Sequence, residues 1–290
     1  MGEWRKGKTQ ADNARRDNGS LLGSTPSLPT LLCVSPESVA SKSLARETIV
    51  VFGDPHGDEI CPLMRASLMG FLKEFKPRIL VNAGDNFNFS HIRGKATPKE
   101  RDTSSAEDWR IGSEFFLEAM SHGKRRYFLR GNHDERLWDV RANAMDSDRR
   151  EAADEGIRKI EAMARRRNTQ MLPYHSGLGV LDVDGLRVIH GYASGVGAAR
   201  KFASVYGSCA YAHTHSMDVA PVERWPEPSV AYGTGCLMQI EQGYNSRNIG
   251  KLRHENGWLY GFVKDGRAVY FQAKQHADKT VYASTNFQGF

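Results

Sequence analysis

Aspartate, histidine and asparagine recur beside glycine along the middle of this chain, and together they could hold divalent metal ions. Asp54-Pro55-His56 follows Gly53, Asp85 follows Gly84, and Asn132-His133-Asp134 follows Gly131. His190 precedes Gly191, and His213 and His215 flank Thr214. The donors are carboxylate and amide oxygen plus imidazole nitrogen, with no thiolate. That set suits Mn²⁺, Fe or Zn²⁺ in a reactive site better than a closed structural zinc site. Seven residues, Asp54, His56, Asp85, Asn132, His190, His213 and His215, offer enough donors for two ions. Ions paired at about 3.5–4 Å serve displacement at phosphorus, by lowering the pKa of water and by binding the charged oxygens.

Each cluster falls at the end of a predicted strand. Thr48–Phe52 is a short apolar run rich in β-branched residues, as a strand buried on both faces requires. Helical spacing over residues 60–75, a strand over 78–83, a helix over 106–121 and a strand over 126–129 continue a β-α-β-α-β order. A charged helix is expected over 150–167. The runs 179–183 and 186–189 flank Asp184-Gly185, a hairpin signal, and 258–263 and 268–272 flank Asp265-Gly266 in the same way. A short helix over 196–205 and strands over 208–212 and 229–232 complete the reading. The expected fold class is α/β, with two packed mixed β-sheets flanked by helices. Ligands of open α/β sheets bind at the carboxyl ends of strands, where all five clusters lie.

With 40% hydrophobic and 26% charged residues, the 290-residue chain has the composition of a globular protein, not of a disordered chain or a membrane bundle. Its net charge of +6 is compatible with a polyanionic partner without requiring one. Cys33, Cys61, Cys209 and Cys236 form no CxxC pair, so a reducing compartment is expected. No signal-type segment or apolar run of spanning length is read, and the expected location is cytoplasmic. Residues 1–46 are read as a flexible or loosely packed N-terminal arm ahead of one domain over 47–290. Seven basic residues spread over that arm make no dense patch.

The order D-x-H, G-D, G-N-H-D, H-G and H-x-H, from Asp54 to His215, resembles the calcineurin-like metallophosphoesterase superfamily. Gly243-Tyr244-Asn245 and Trp258-Leu259-Tyr260-Gly261-Phe262 are reminiscent of its bacteriophage and prophage members. The resemblance implies one metal site of Asp54, His56, Asp85 and His215. It implies a second of Asp85, Asn132, His190 and His213, with Asp85 bridging two divalent ions, most simply Mn²⁺. It implies hydrolysis of phosphate esters by a metal-bound hydroxide, with His133 protonating the leaving oxygen. Phosphodiesters are the expected substrates, with DNA or RNA among them. Phosphomonoesters of nucleotides or phosphoproteins are one alternative, and a binding module of the same fold without turnover is another.

Three positions depart from the family pattern. Asn88 stands where a second acid is frequent, Phe89 follows it where the phosphoprotein phosphatases have Arg, and Ala212 replaces a glycine before H-x-H. Among the basic residues near the third cluster, Arg130 and Arg136 are the candidates for substrate phosphate, together with Asn88. Lys124, Arg125 and Arg126 lie at and just before the start of the strand, where alternate side chains face opposite ways, so not all of them can reach the site. Asp58 is read as a helix cap, and Asp134 and Glu135 as acids of a first helical turn. His91, His122, His175, His254 and His276 are read as ordinary surface or core histidines.

Overall fold

The computed structural model describes residues 47–94, 96–102, 104–183, 185–225, 227–240, 253–264, 267–276 and 279–281. The arm expected over residues 1–46, Cys33, Gly243-Tyr244-Asn245, Asp184 and Asp265-Gly266 lie outside them. Among the described residues, seven strands form one sheet and five form another.

The first sheet grows from β1 (Glu47–Phe52), whose last four residues are buried. β2 (Ile79–Asn82), β3 (Arg125–Leu129) and β4 (Thr169–Leu172) add in parallel on one side. β10 (Gly257–Lys264), β11 (Arg267–His276) and β12 (Lys279–Val281) add antiparallel on the other. The second sheet runs β5 (Leu181–Val183), β6 (Leu186–Ile189), β7 (Cys209–Tyr211), β9 (Ser229–Gly233), β8 (Val219–Val222). Its three central strands are parallel. The architecture is two mixed sheets with flanking helices, as the sequence predicts.

Strand alternation builds the layers. Ile49 and Val51 point between the sheets, where they meet Val81, Leu129, Val188 and Ala210 in one apolar cluster. Their neighbours Val50 and Phe52 point the other way, into a cluster with α1 (Pro62–Phe75), α3 (Ser105–Ala119) and α5 (Ser147–Arg166). The far face of the second sheet packs Ile189, Cys209 and Tyr211 against α6 (Ala198–Tyr206). The charged α5 settles on a narrow stripe of Ala153, Gly156, Ile157, Ile160 and Ala164.

Several elements differ from the sequence reading. α4 (Arg136–Asn143), the four-residue α2 (Pro98–Arg101), β4, β8 and β12 are additional. β8 carries Pro221 and lies at the edge of its sheet, the place where a strand tolerates proline. Asp58 caps no α-helix: it sits in a 3₁₀ turn over Gly57–Glu59, and Cys61 is the residue before α1. No helix among the described residues is long and apolar enough to cross a membrane.

Candidate metal centre

The five clusters meet where the parallel strands of both sheets end. β1, β2 and β3 deliver Asp54, His56, Asp85 and Asn132; β6 and β7 deliver His190, His213 and His215. The chain bends sharply to do so. Asp54, His56, Asp85, His213 and His215 all take left-handed backbone angles, with φ between 52° and 70°. Non-glycine residues adopt that conformation at a cost of about 1–3 kcal/mol each, and such strain concentrates at functional sites. Gly131 is demanded by proximity: a Cβ there would stand 2.0 Å from Asp85 Oδ1. Gly53 is demanded in the same way, because a Cβ on it would lie 2.6 Å from the Ala212 methyl.

Two donor groups result. In the first, Asp54, His56 and His215 bring ligand atoms within 4.8 Å of one another. His56 Nε2 and His215 Nε2 are 3.2 Å apart, and Asp54 Oδ1 lies 3.7 Å from the latter. In the second, Asp85, His190 and His213 converge likewise. Asn132 Oδ1 completes this group, 3.1 Å from His190 Nε2 and 2.8 Å from His213 Nδ1. Asp85 Oδ2 reaches toward both groups, 3.5 Å from His190 Nε2 and 3.9 Å from His56 Nε2. A third grouping joins His56, Asp85 and His133.

Backbone groups orient these side chains. The His190 ring nitrogen Nδ1 donates to Ala83 O at 2.8 Å, leaving Nε2 free to face Asp85. The backbone N–H of His133 donates to Asp85 Oδ1 at 2.7 Å, and that of His213 to Asp54 Oδ2 at 2.9 Å. Asp54 Oδ1 itself is buried without a hydrogen-bond partner among the described residues. A carboxylate oxygen orphaned beside two imidazole nitrogens fits a cation, which it would otherwise lack as a partner.

Electrostatics favours the same reading. Burial, reinforced by neighbouring imidazoles, holds His56 and His215 well below the usual histidine range and pushes His213 down to about 4. These rings are neutral donors at neutral pH, the form that binds metal. Burial opposes ionisation of Asp85, but His190 and His133 overcome it and hold its carboxyl well below the usual range. Burial would lower His190 too, yet the Asp85 carboxylate raises it to about 9. A divalent ion on Nε2 would compete with that proton.

The surrounding residues divide clearly. His133 stands at the open side, with Nε2 4.0 Å from Asp85 Oδ2 and Nδ1 3.1 Å from Asn88 Oδ1. Arg136 donates Nη1–H to Asn88 O at 2.6 Å, on the same wall. Arg130 is buried elsewhere, with its guanidinium 3.9 Å over the Trp138 ring and Nε 3.2 Å from Glu135 Oε2. Lys124, Arg125 and Arg126 are at the opposite end of β3 and line a surface groove with Arg165. Asp134 accepts from the N–H groups of Phe87 and Gly131, so it fastens the second loop to the third. Two nearby residues carry no motif signal. His254 packs its ring 4.7 Å from that of His215, and Tyr174 lies 5.7 Å from His190. Only long-range folding brings them there.

A family model described as calcineurin-like phosphoesterase matches residues 47–217. Among solved structures the chain is similar to a single mutant of Vps29 from Entamoeba histolytica, at 10% identity over 82% of this chain and 99% of that one, with a TM-score of 0.41. It is also similar to Vps29 from Chaetomium thermophilum, at 11% identity over 83% and 95%, with a TM-score of 0.42. Yfce, a phosphoesterase from E. coli, matches at 15% identity over 78% and 98%, with a TM-score of 0.35. The comparison with curated proteins finds no match.

Proposed function

The chain belongs to the calcineurin-like phosphoesterase family, and from that premise we propose that it hydrolyses phosphodiesters, nucleic acid among them, with two divalent ions. The observation that carries the reading is one carboxylate, Asp85, placed between two groups of oxygen and imidazole donors. Asp54, His56, Asp85 and His215 would hold one ion, and Asp85, Asn132, His190 and His213 the other. Mn²⁺ is the ion we assign, and such ions supply an acidified water and charge for the phosphoryl oxygens.

The chain's own groups do the rest. His133 presents Nε2 to the centre while Nδ1 faces two oxygens of Asn88, so in the imidazolium form the Nε2 proton would pass to the leaving oxygen and the Nδ1 proton would stay on Asn88. Arg136 steadies Asn88 and adds positive charge to that wall. The preference for diesters and polynucleotides rests on the net charge of +6. A kinship with bacteriophage members, read from Trp258–Phe262, and a cytoplasmic setting belong to the same proposal.

The test is hydrolysis of bis-p-nitrophenyl phosphate against p-nitrophenyl phosphate, with and without Mn²⁺. We expect Mn²⁺-dependent turnover that favours the diester. Preference for the monoester would move the reading to a phosphomonoesterase. No turnover of either under any divalent metal would leave a binding module.

A further inference from the structure

The cations that the metal centre leaves unused gather at the other end of the same strands. Arg125 and Leu129 bound β3, so about 13 Å of strand lies between Arg125 and the loop that carries Asn132. α5 ends beside this start. Asn168, with a left-handed φ of 46°, turns the chain from α5 into β4, the outermost strand of its sheet. That turn sets Arg165 near the start of β3, and Lys124, Arg125, Arg126 and Arg165 line one groove of about 450 Å³. Asn168 and Gln170 add amides to its wall, and among the described residues no acid lines it.

Neighbouring carboxylates do not balance this charge. Glu47 is shared, pairing with Arg125 and lying 3.5 Å from Arg78 Nε. Glu161 Oε2 lies 3.5 Å from Arg165 Nη1. Lys124 has no ion pair among the described residues. Arg126 donates Nη1–H to the backbone oxygen of Arg167 at 2.8 Å, and its buried Nε has no hydrogen-bond partner among the described residues. The four groove cations and Arg78 thus meet two carboxylates and keep three positive charges in excess. Arg165 lies in the last turn of α5 and complements the negative end of that helix. Lys124 and Arg125 stand on no helix, so that duty does not explain them.

Pockets of this size that hold neutral small molecules are walled mainly by apolar side chains. Walls rich in Arg, Lys and side-chain amides suit an anion whose charges repeat along its length, as the phosphates of a nucleic acid do. Residues 1–46 of the chain, with seven basic and four acidic side chains, have the wrong sign to fill the groove. A second copy of a chain with net charge +6 is no better matched. We propose that this groove binds the sugar–phosphate backbone of nucleic acid, with Lys124 and Arg165 each on a phosphate, and anchors the polymer away from the metal centre. It is a separate site that shares only the class of polymer with the function proposed above, and its occupation needs neither metal nor turnover.

The test is binding of a fluorescein-labelled single-stranded oligonucleotide with a hydrolysis-resistant phosphorothioate backbone. Fluorescence anisotropy is read over a salt titration, with the full chain in Mn²⁺ and again in EDTA. The double variant Lys124→Ala, Arg165→Ala should weaken binding about tenfold in both media and alike for different base sequences. The slope of log Kd against log salt should become shallower by about 1.4, about 0.7 for each lost phosphate contact. Both side chains are exposed, so the fold should persist, and turnover of bis-p-nitrophenyl phosphate should match that of the unaltered chain. The double variant Arg200→Ala, Lys201→Ala removes the same charge from exposed positions of α6 and should change Kd by less than about twofold. An equal loss in the two double variants reduces the effect to net charge and overturns the proposal, as does an unchanged salt slope. A loss seen only in Mn²⁺ would put the contact at the metal centre, and equal binding of poly-glutamate, weakened by the same substitutions, would make the groove a site for acidic protein. Either result overturns the proposal. If the unaltered chain turns over no diester, the phosphodiesterase reading fails, while the binding measurements still decide the groove.

Discussion

Asp85 offers one carboxylate to two donor groups, so its loss should be felt at both. Asp85→Asn should therefore remove more bound metal than His56→Ala, which touches one group, as metal analysis of the purified variants would read. Two full equivalents retained by Asp85→Asn would end the bridging assignment. His133 makes a contrasting case. Burial, with Arg136 adding, pushes its imidazole down to about 4, against the pull of Asp85. Asn88→Asp would set a carboxylate about 3 Å from Nδ1 and raise that value, by about one unit or more for a close opposite charge. A general acid is active only while protonated, so activity is lost as pH rises through its pKa. A raised pKa moves that loss, the alkaline limb of the pH–rate profile, to higher pH. Rate profiles of both proteins on an unactivated diester would show it, and an unmoved limb would count against the influence of residue 88 on His133 while leaving the acid role standing.

At the scale of elements, α3 reaches over the loops it covers through a single carboxylate. Asp108 Oδ2 accepts from Phe89 N at 2.8 Å and Oδ1 from Asn88 N at 3.1 Å, which fixes the loop carrying Asn88. Burial raises Asp108 to about 6, more than those hydrogen bonds can offset. A carboxyl raised above its unfolded value stabilises the fold fully below about 4 and loses that contribution as pH rises through about 6. The span is worth about 3 kcal/mol at most. Denaturant melts from pH 4 to 7 should thus show stability falling with pH more steeply in the unaltered protein than in Asp108→Asn. Parallel curves would refute the assignment. The sequence announced the loops but not this clamp, since an acid on an amphipathic helix carries no sign of what it reaches. Helices and strands with strong periodicity, such as α1 and β1, were legible for the opposite reason: their pattern is local. α4 was not, because Arg136, Asp139 and Arg141 dilute its few apolar positions.

Across the whole molecule, the two sheets contribute unequally to the centre, with Asp54, His56, Asp85 and Asn132 from one and His190, His213 and His215 from the other. All seven stood out in the sequence as candidates because each closes a strand beside a small residue. The nearness of Tyr174 and His254 to the centre was not legible, because their place depends on how the sheets pack. An ion held by ligands from both sheets binds the folded chain and not the unfolded one, so it stabilises by mass action. Mn²⁺ should raise Tm in a concentration-dependent way, and Asp85→Asn should lose most of that rise, as thermal melts with and without the ion would show. The meeting of His56 and His215 at 3.2 Å has a further consequence, because 159 positions of sequence separate them. Contacts between such distant positions form late, after much chain entropy has been lost. The first donor group is therefore completed only once β7 has emerged and docked. Uptake of a full complement of metal should lag behind the return of secondary structure in a refolding experiment, so that the ion registers a finished fold rather than seeding one.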